Sequence, residues 1–323
     1  MSKESKFLSG FVTLIGRPNA GKSTLMNALL GQKVAIVTPH PQTTRTHLLG
    51  IYHAQPTLDH PAGQIVFIDT PGVHKGRTAL NREMMRSVRE GLEGRDLALL
   101  LVDVTRKFGD EDAFALDLVK SAARAESKGA EEGAPTRVPT FLVLNKVDRL
   151  QDKRALLPII DLYRQRYEFD EILPISAIAG EGLPELLRTI FRYLPEGPEY
   201  FPAGQVTDQP ELFKISEVIR EKAMALTREE VPHTLAVQVE KLERGPKLTA
   251  ISAVLYCERS GQKAILIGHR GEMIRQIGTK SREELEATLG SKVFLELHVL
   301  VREEWRENPR FLADLDWRKE VDF

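Results

Sequence analysis

The 323 residues are enough for two domains, and 42% hydrophobic with 28% charged residues describe a globular chain with real cores rather than a disordered or fibrous one. The net charge of −1 excludes a global polycation, so any nucleic-acid surface has to be local. The single cysteine, Cys257, excludes an internal disulfide framework and a cysteine-rich zinc site; within the apolar run 253–257 it is expected to be a buried core thiol. The first six residues are charged and lack an apolar stretch, so no signal peptide is expected, and no run approaches the roughly 18 apolar residues of a spanning helix. A cytoplasmic location is the resulting expectation.

In chain order, apolar runs alternate with amphipathic stretches. Strands are expected at 11–15, 46–52, 64–68, 97–102, 140–144 and 172–175, and helices at 23–30, 80–92, 111–124, 154–167 and 183–193. This alternation implies an α/β fold with a doubly wound sheet whose ligand loops lie at the carboxyl ends of its strands. The Ala/Glu/Gly-rich stretch 121–139 reads as a helix end running into a flexible surface loop. The polar stretch 195–210, rich in proline and glycine, reads as an interdomain linker. Beyond it come a helix at 211–226, strands at 233–242 and 248–258, and an apolar segment 263–267 leading into Gly268. A helix at 271–289, a strand at 293–301 and a short helical tail near 310–317 follow. The expected division is 1–195 and 211–323, joined by 196–210.

Gly16-Arg17-Pro18-Asn19-Ala20-Gly21-Lys22-Ser23 fits G-x-x-x-x-G-K-[ST] between a strand and a helix, the arrangement that aims backbone N–H groups and a helix N-terminus at phosphate. Asn19, Ala20, Gly21, Lys22, Ser23 and Thr24 are therefore expected nucleotide contacts. Lys22 would reach the β/γ-phosphates and the Ser23 hydroxyl would ligate Mg²⁺. Asp69-Thr70-Pro71-Gly72 follows the third expected strand. Asp69 there can hold Mg²⁺ through water, and the Gly72 N–H can meet a γ-phosphate and sense its loss. Alone, D-x-x-G is usually a simple turn. Asn145-Lys146-Val147-Asp148 resembles the N-K-x-D motif of GTPases. A carboxylate such as Asp148 accepts from the two N–H donors on the guanine edge, a pair adenine lacks. Ser176-Ala177 resembles the accessory guanine motif. GTP, with GDP as product, is the expected ligand; the base motif argues against the rival of a P-loop metabolic kinase.

Residues 38–45, Thr38-Pro39-His40-Pro41-Gln42-Thr43-Thr44-Arg45, lie where GTPases keep switch I, whose threonine meets Mg²⁺ only while the γ-phosphate is present. Gln-Thr-Thr-Arg resembles the GTPase branch that includes Era and the tRNA-modification GTPases. That resemblance makes Thr44 the metal ligand, with Thr43 the rival, so that Lys22, Thr44 and Gly72 form the expected catalytic set. It also matches Asn19 to an asparagine that holds K⁺ near the phosphates, the alternative being a residue that closes the loop. Val73 occupies the position of the water-orienting glutamine of Ras-like proteins, so slow intrinsic hydrolysis is expected.

In the second half, Gly268-His269-Arg270-Gly271 joins the apolar segment to a helix as G-x-x-G, the loop by which KH domains approach a nucleic-acid backbone. Six basic residues against one acid lie between 259 and 282, whereas 283–307 holds seven acids and three basic residues, so charge is segregated. Lys263, Gly268, His269, Arg270, Gly271 and Arg275 are the expected RNA contacts. From about 11 to 315 the chain resembles the bacterial Era GTPase family. That resemblance implies a GTPase domain followed by an α+β type II KH domain of order α-β-β-α-α-β. It also implies a GTP-controlled role in small (30S) subunit assembly, holding the single-stranded 3′ end of 16S rRNA, with no DNA partner. A monomer that associates peripherally with the inner membrane face is implied as well. Two departures stand out: the family loop usually reads Gly-Lys-Gly-Gly, and Leu300 replaces an expected lysine in the last strand. The alternative is a GTPase whose second domain binds protein or a membrane surface, with 268–271 only a turn.

Overall fold

The computed structural model describes residues 6–57, 60–73, 76, 78–129 and 137–320. The chain divides into two compact units: Met1–Ala35, Thr44–Gly76 and Glu83–Asp208 in the first, and Ile36–Thr43, Arg77–Arg82 and Gln209–Phe323 in the second.

Among the described residues, the first unit is built on a six-stranded sheet ordered β2-β3-β1-β4-β5-β6. The chain runs through β1 (Leu8–Ile15), α1 (Lys22–Leu30), β2 (Leu48–Ala54), β3 (Gly63–Asp69), α2 (Ala79–Glu90), β4 (Leu97–Asp103), α3 (Asp110–Gly129), β5 (Thr140–Asn145), α4 (Leu156–Arg164), β6 (Glu171–Pro174) and α5 (Leu183–Tyr193). All pairings are parallel except β2 with β3. Strands β3, β4 and β5 are buried along their whole length, which is why they read as unbroken apolar runs. Their side chains pack with those of α2 and α3, for example Leu100, Val102 and Leu142 with Val88, Leu116 and Val119.

Strand β1 starts before the apolar run that announced it. Ser9 and Gly10 pair in register with Gln64 and Ile65, and Ser9 is fully buried. A Cβ on Gly10 would lie 2.7 Å from Asp96 Oδ2, the oxygen that accepts from Phe11 N at 2.7 Å. Strand β2 starts later than expected because His47 N is diverted to Ser87 Oγ at 2.7 Å. The stretch expected to be a linker packs within the first unit as far as Asp208. It lies along the edge strand β2: Ile51 N donates to Val206 O at 2.9 Å, and His53 Nε2 meets Gln205 O at 3.0 Å. Gln64 fixes it further, donating to Phe201 O at 2.8 Å and accepting from Tyr200 N at 2.9 Å. An otherwise unpaired edge is thereby covered. Helix α3 continues past its expected end at 124; residues 130–136 of the expected flexible loop lie outside the described residues.

The second unit carries α6 (Glu211–Leu226), α7 (Val231–Thr234), β7 (Ala236–Arg244), β8 (Leu248–Cys257), α8 (Ser260–Ile267), α9 (Glu272–Leu289), β9 (Lys292–Val301) and α10 (Pro309–Leu315). The sheet order is β7-β8-β9, antiparallel then parallel. The single turn α7 replaces the expected start of a strand at 233, since Pro232 presets helical φ in its first turn. Helix α8 opens where Gln262 Oε1 accepts from the Glu258 and Arg259 amides at 2.9 and 3.1 Å. The core joins Ile215, Ile219 and Met224 of α6 to Ile251, Leu255 and Cys257 of β8 and Ile277 and Leu285 of α9. Cys257 is fully buried, and burial pushes its thiol pKa up.

The C-terminal segment locks onto this core through Trp305, which is fully buried, donates Nε1 to Thr234 O at 2.9 Å and meets Phe311 edge-on at 5.9 Å. Trp305→Ala is expected to destabilise the second unit by about 3–5 kcal/mol. Amide hydrogen exchange checks this: protection should fall across β7–β9 and hold across β1, β3, β4 and β5.

Candidate functional site

The motifs of the first unit come together because each occupies the carboxyl end of a strand in one sheet: 16–23 after β1, Asp69 at the end of β3, Asn145 at the end of β5 and Ser176 after β6. Gly16 and Gly21 are required by space. A Cβ at Gly16 would lie 2.5 Å from Leu101 O, and one at Gly21, whose φ is +98°, would lie 2.3 Å from Asn145 Nδ2. Four of the loop carbonyls are held by side-chain donors. Lys22 Nζ donates to Gly16 O at 3.1 Å and to Arg17 O at 3.2 Å. Lys146 Nζ donates to Asn19 O at 2.7 Å, and Asn145 Nδ2 to Ala20 O at 2.9 Å. Peptide N–H groups and the start of α1, where Ser23 and Thr24 stand half-buried, are thereby left to face an anion.

A second corner collects oxygen. Ser23 Oγ donates to Asp69 Oδ2 at 2.6 Å and lies 3.0 Å from Thr44 Oγ1, which is itself 3.4 Å from Asp69 Oδ2. Asp69 Oδ1 is buried without a hydrogen-bond partner among the described residues. Burial pushes the Asp69 pKa from 3.8 to about 6, against the pull of Lys22, Ser23 and Thr44. Burial likewise lowers Lys22 to about 8, against the attraction of Asp69. A hard cation beside Asp69 and phosphate beside Lys22 would relieve both penalties, so the residues present fit Mg²⁺ and nucleotide. Thr43 is turned elsewhere: its Oγ1 donates to His40 O at 2.7 Å and lies 2.6 Å from Thr38 Oγ1. Gly72 sits against the phosphate loop, where a Cβ would approach Pro18 Cα to 2.7 Å. Val73 is fully buried and apolar and has no group to orient water.

The segments expected to read the base converge as well. Asn145 Oδ1 accepts from Lys146 N at 2.8 Å and Ala177 N at 3.0 Å, so one amide side chain fastens three loops. Ser176 Oγ donates to Asp148 Oδ1 at 2.6 Å, and Asp148 is exposed beside it. Two participants carried no motif signal. Asp103, at the end of β4, accepts from Lys146 Nζ at 2.7 Å, and the buried Arg17 donates to Asp112 Oδ2 at 3.0 Å. A charged residue closing a buried apolar strand is the only cue the sequence offered for Asp103.

In the second unit the G-x-x-G loop is held in left-handed backbone: φ is 74° at Gly268, 51° at Arg270 and 78° at Gly271. A Cβ at Gly268 would meet Met273 N at 2.7 Å. His269, Arg270, Arg275 and Lys280 are exposed and Lys263 is half-buried, whereas Leu300, 45% exposed, is an uncharged position on β9. Residues 36–43 and 77–82 pack in this unit too. The buried Arg220 donates to Thr43 O, Glu221 accepts from Val37 N at 3.1 Å, and Glu307 accepts from Ala79 N at 3.0 Å. On α6, Arg220 and Glu221 carry no sequence pattern that sets them apart from an ordinary helix face.

Residues 11–146 match the family described as 50S ribosome-binding GTPase, and residues 230–306 match the KH domain. A curated protein named GTPase Era from Syntrophus aciditrophicus is 41% identical over 97% of this chain and 96% of its own length. Another, from Lactobacillus delbrueckii subsp. bulgaricus, is 44% identical over 99% of both. This chain belongs to the Era family of GTPases. Solved Era structures agree along nearly the whole chain. An Aquifex aeolicus Era variant bound to GDP and tetrafluoroaluminate gives a TM-score of 0.86 at 35% identity, covering 96% of this chain and 99% of that one. Era in complex with MgGDPNP and nucleotides 1506–1542 of 16S ribosomal RNA gives 0.87 at the same identity and coverage. The expected Era architecture, a P-loop GTPase sheet followed by a KH domain, is therefore the one present, and the enzyme chemistry is GTP hydrolysis.

Two tests follow from the site geometry. Replacing Asp148, the expected guanine acceptor, by asparagine should weaken GTP and favour xanthosine triphosphate, whose edge offers an acceptor in place of a donor, as competition binding with both nucleotides would read. Asp69 sets a pH window. Between pH 3.8 and about 6 the folded, ligand-free chain keeps a proton that the unfolded chain has lost, so its stability declines as pH rises through that window. With Asp69 as the expected metal residue, Mg·GDP would need the carboxylate and expel that proton, so at pH 6 about half a proton should be released per binding event. Calorimetry in two buffers of different ionisation enthalpy measures it, and Asp69→Asn should abolish the release.

Proposed function

We propose that this GTPase is a Mg²⁺-dependent GTP/GDP switch that holds the single-stranded 3′ end of 16S rRNA on its KH unit and assists assembly of the small ribosomal subunit. The observation that supports this most is the likeness, over nearly the whole chain, to Era bound to MgGDPNP and 16S rRNA nucleotides. In this reading Lys22 and the N–H groups of residues 19–24 hold the phosphates, and Ser23, Thr44 and Asp69 form the metal corner. Gly72 senses the γ-phosphate. Asn145, Lys146, Asp148, Ser176 and Ala177 hold guanine. Asn19, exposed at the loop rim with φ 60° and its carbonyl already engaged by Lys146, is the residue for a K⁺ ion beside the phosphates. With Val73 unable to orient water, intrinsic hydrolysis is slow.

RNA binding falls to Lys263, Gly268, His269, Arg270, Gly271 and Arg275. The left-handed G-x-x-G backbone brings the chain close to a phosphate backbone, and the exposed basic side chains supply charge. The protein works as a cytoplasmic monomer. Peripheral association with the inner membrane face rests on family resemblance alone; among the described residues no helix is long and apolar enough to cross a membrane.

Affinity for a short RNA copying a bacterial 16S 3′ tail, measured at fixed salt with a non-hydrolysable GTP analogue, with GDP and without nucleotide, tests the switch. Tighter binding with the GTP analogue supports coupling; equal binding in all three states removes it. Arg270→Glu should weaken the RNA complex and lower the slope of log affinity against log salt by about 1 or more. Unchanged binding would overturn the loop assignment.

A further inference from the structure

Arg17 and Asp103 belong to no base-reading motif, yet they form one chain of charges beneath the nucleotide loops. Arg17 Nη1 donates to Asp112 Oδ2 at 3.0 Å, and Nη2 donates to Asp103 O at 3.2 Å and lies 3.8 Å from Asp103 Oδ2. Asp103 Oδ1 is oriented by the Thr105 amide at 3.0 Å and the Thr105 hydroxyl at 2.6 Å. Its Oδ2 takes the Lys146 ammonium at 2.7 Å, and Lys146 continues to Asn19 O at 2.7 Å. Two cations thus meet two carboxylates, with side-chain exposures of 7% for Arg17, 5% for Asp103, 3% for Asp112 and 22% for Lys146.

A network this dry adds little net stability, because desolvation offsets attraction, but it fixes where its members sit. What it fixes is the nucleotide site itself. One end is Arg17, inside the phosphate loop. The other is Lys146, whose left-handed backbone, φ 71°, leads directly into Val147 and Asp148. Without Asp103 the Lys146 ammonium would keep, among the described residues, the neutral acceptor Asn19 O at the end of a flexible four-carbon stem.

We propose that Asp103, braced by Arg17, is a positioning residue for guanine-nucleotide binding, holding Lys146 across Asn19 so that the phosphate loop and the base-reading loop are presented as one surface. This rests on the reading that residues 145–148 hold guanine. Its side-chain contacts run to Asp112, Thr105 and Asn19 O and to none of Lys22, Thr44 and Gly72, so it should act on GDP and GTP alike.

A double-mutant cycle on the full chain tests it, with Asp103→Asn, Lys146→Met and the pair. Dissociation constants are measured for GDP and a non-hydrolysable GTP analogue, with KM and kcat for GTP alongside. Asp103→Asn should weaken both nucleotides by about tenfold and raise KM while kcat holds, and the double variant should be no weaker than the worse single. Thr105→Val, at an exposed position, should shift affinity in the same direction and covers the case in which Asp103→Asn folds poorly. Unchanged affinity in Asp103→Asn overturns the proposal, as does a loss that adds in full to that of Lys146→Met or one confined to the GTP analogue. Asp148→Asn separates the two levels: if it weakens GDP while Asp103→Asn does not, only the positioning role falls. If neither does, the guanine-site reading falls with it.

Discussion

A loop that binds phosphate with peptide N–H groups must turn its carbonyls inward, and inward carbonyls need donors because a buried backbone acceptor left unpaired is costly. Much of the first unit can be understood from that requirement. Lys22 reaches back to Gly16 and Arg17, Asn145 reaches across to Ala20, and Lys146 spans to Asn19. Because Asn145 ends β5 and Lys146 follows it, the strand order that places β5 next but one to β1, beyond β4, is part of how this loop is held. Gly21 completes the arrangement: only a residue without Cβ lets the Asn145 amide come so close.

The same convergence buries two groups whose charged forms are opposed by desolvation. Asp69 is driven toward its protonated form and Lys22 toward its neutral form by burial, although each lies within reach of the other's charge. A cation beside Asp69 and a phosphate beside Lys22 would relieve both penalties.

Much of this was legible in the sequence, for a physical reason. Phosphate and guanine chemistry demand particular residue types at fixed spacing on strand ends, and the strands were unbroken apolar runs, so both motif and context could be read. The helix at 183–193 and the helix at 211–226 have the predicted limits. What was not legible depends on partners far away in the chain. Asp103 and Arg17 acquire meaning only when β4 lies beside β1, and Arg220 only when Thr43 is folded against α6. Ser9 and Gly10 are polar or small, so no apolar pattern announced the start of β1. The stretch after Pro195 has linker composition, yet Gln64 and Ile51 supply hydrogen bonds that no local pattern foretells.

Cys257 has a practical meaning beyond packing. It is the only cysteine of the chain, fully buried at the end of β8, with its thiol pKa pushed up by burial. A maleimide dye or spin label offered to the folded protein therefore finds no native target, and one cysteine engineered on the surface becomes a unique attachment point without any background substitution. The native thiol then serves a second purpose. Its labelling rate under mild denaturant reports how often the second unit opens, independently of any optical probe in the first.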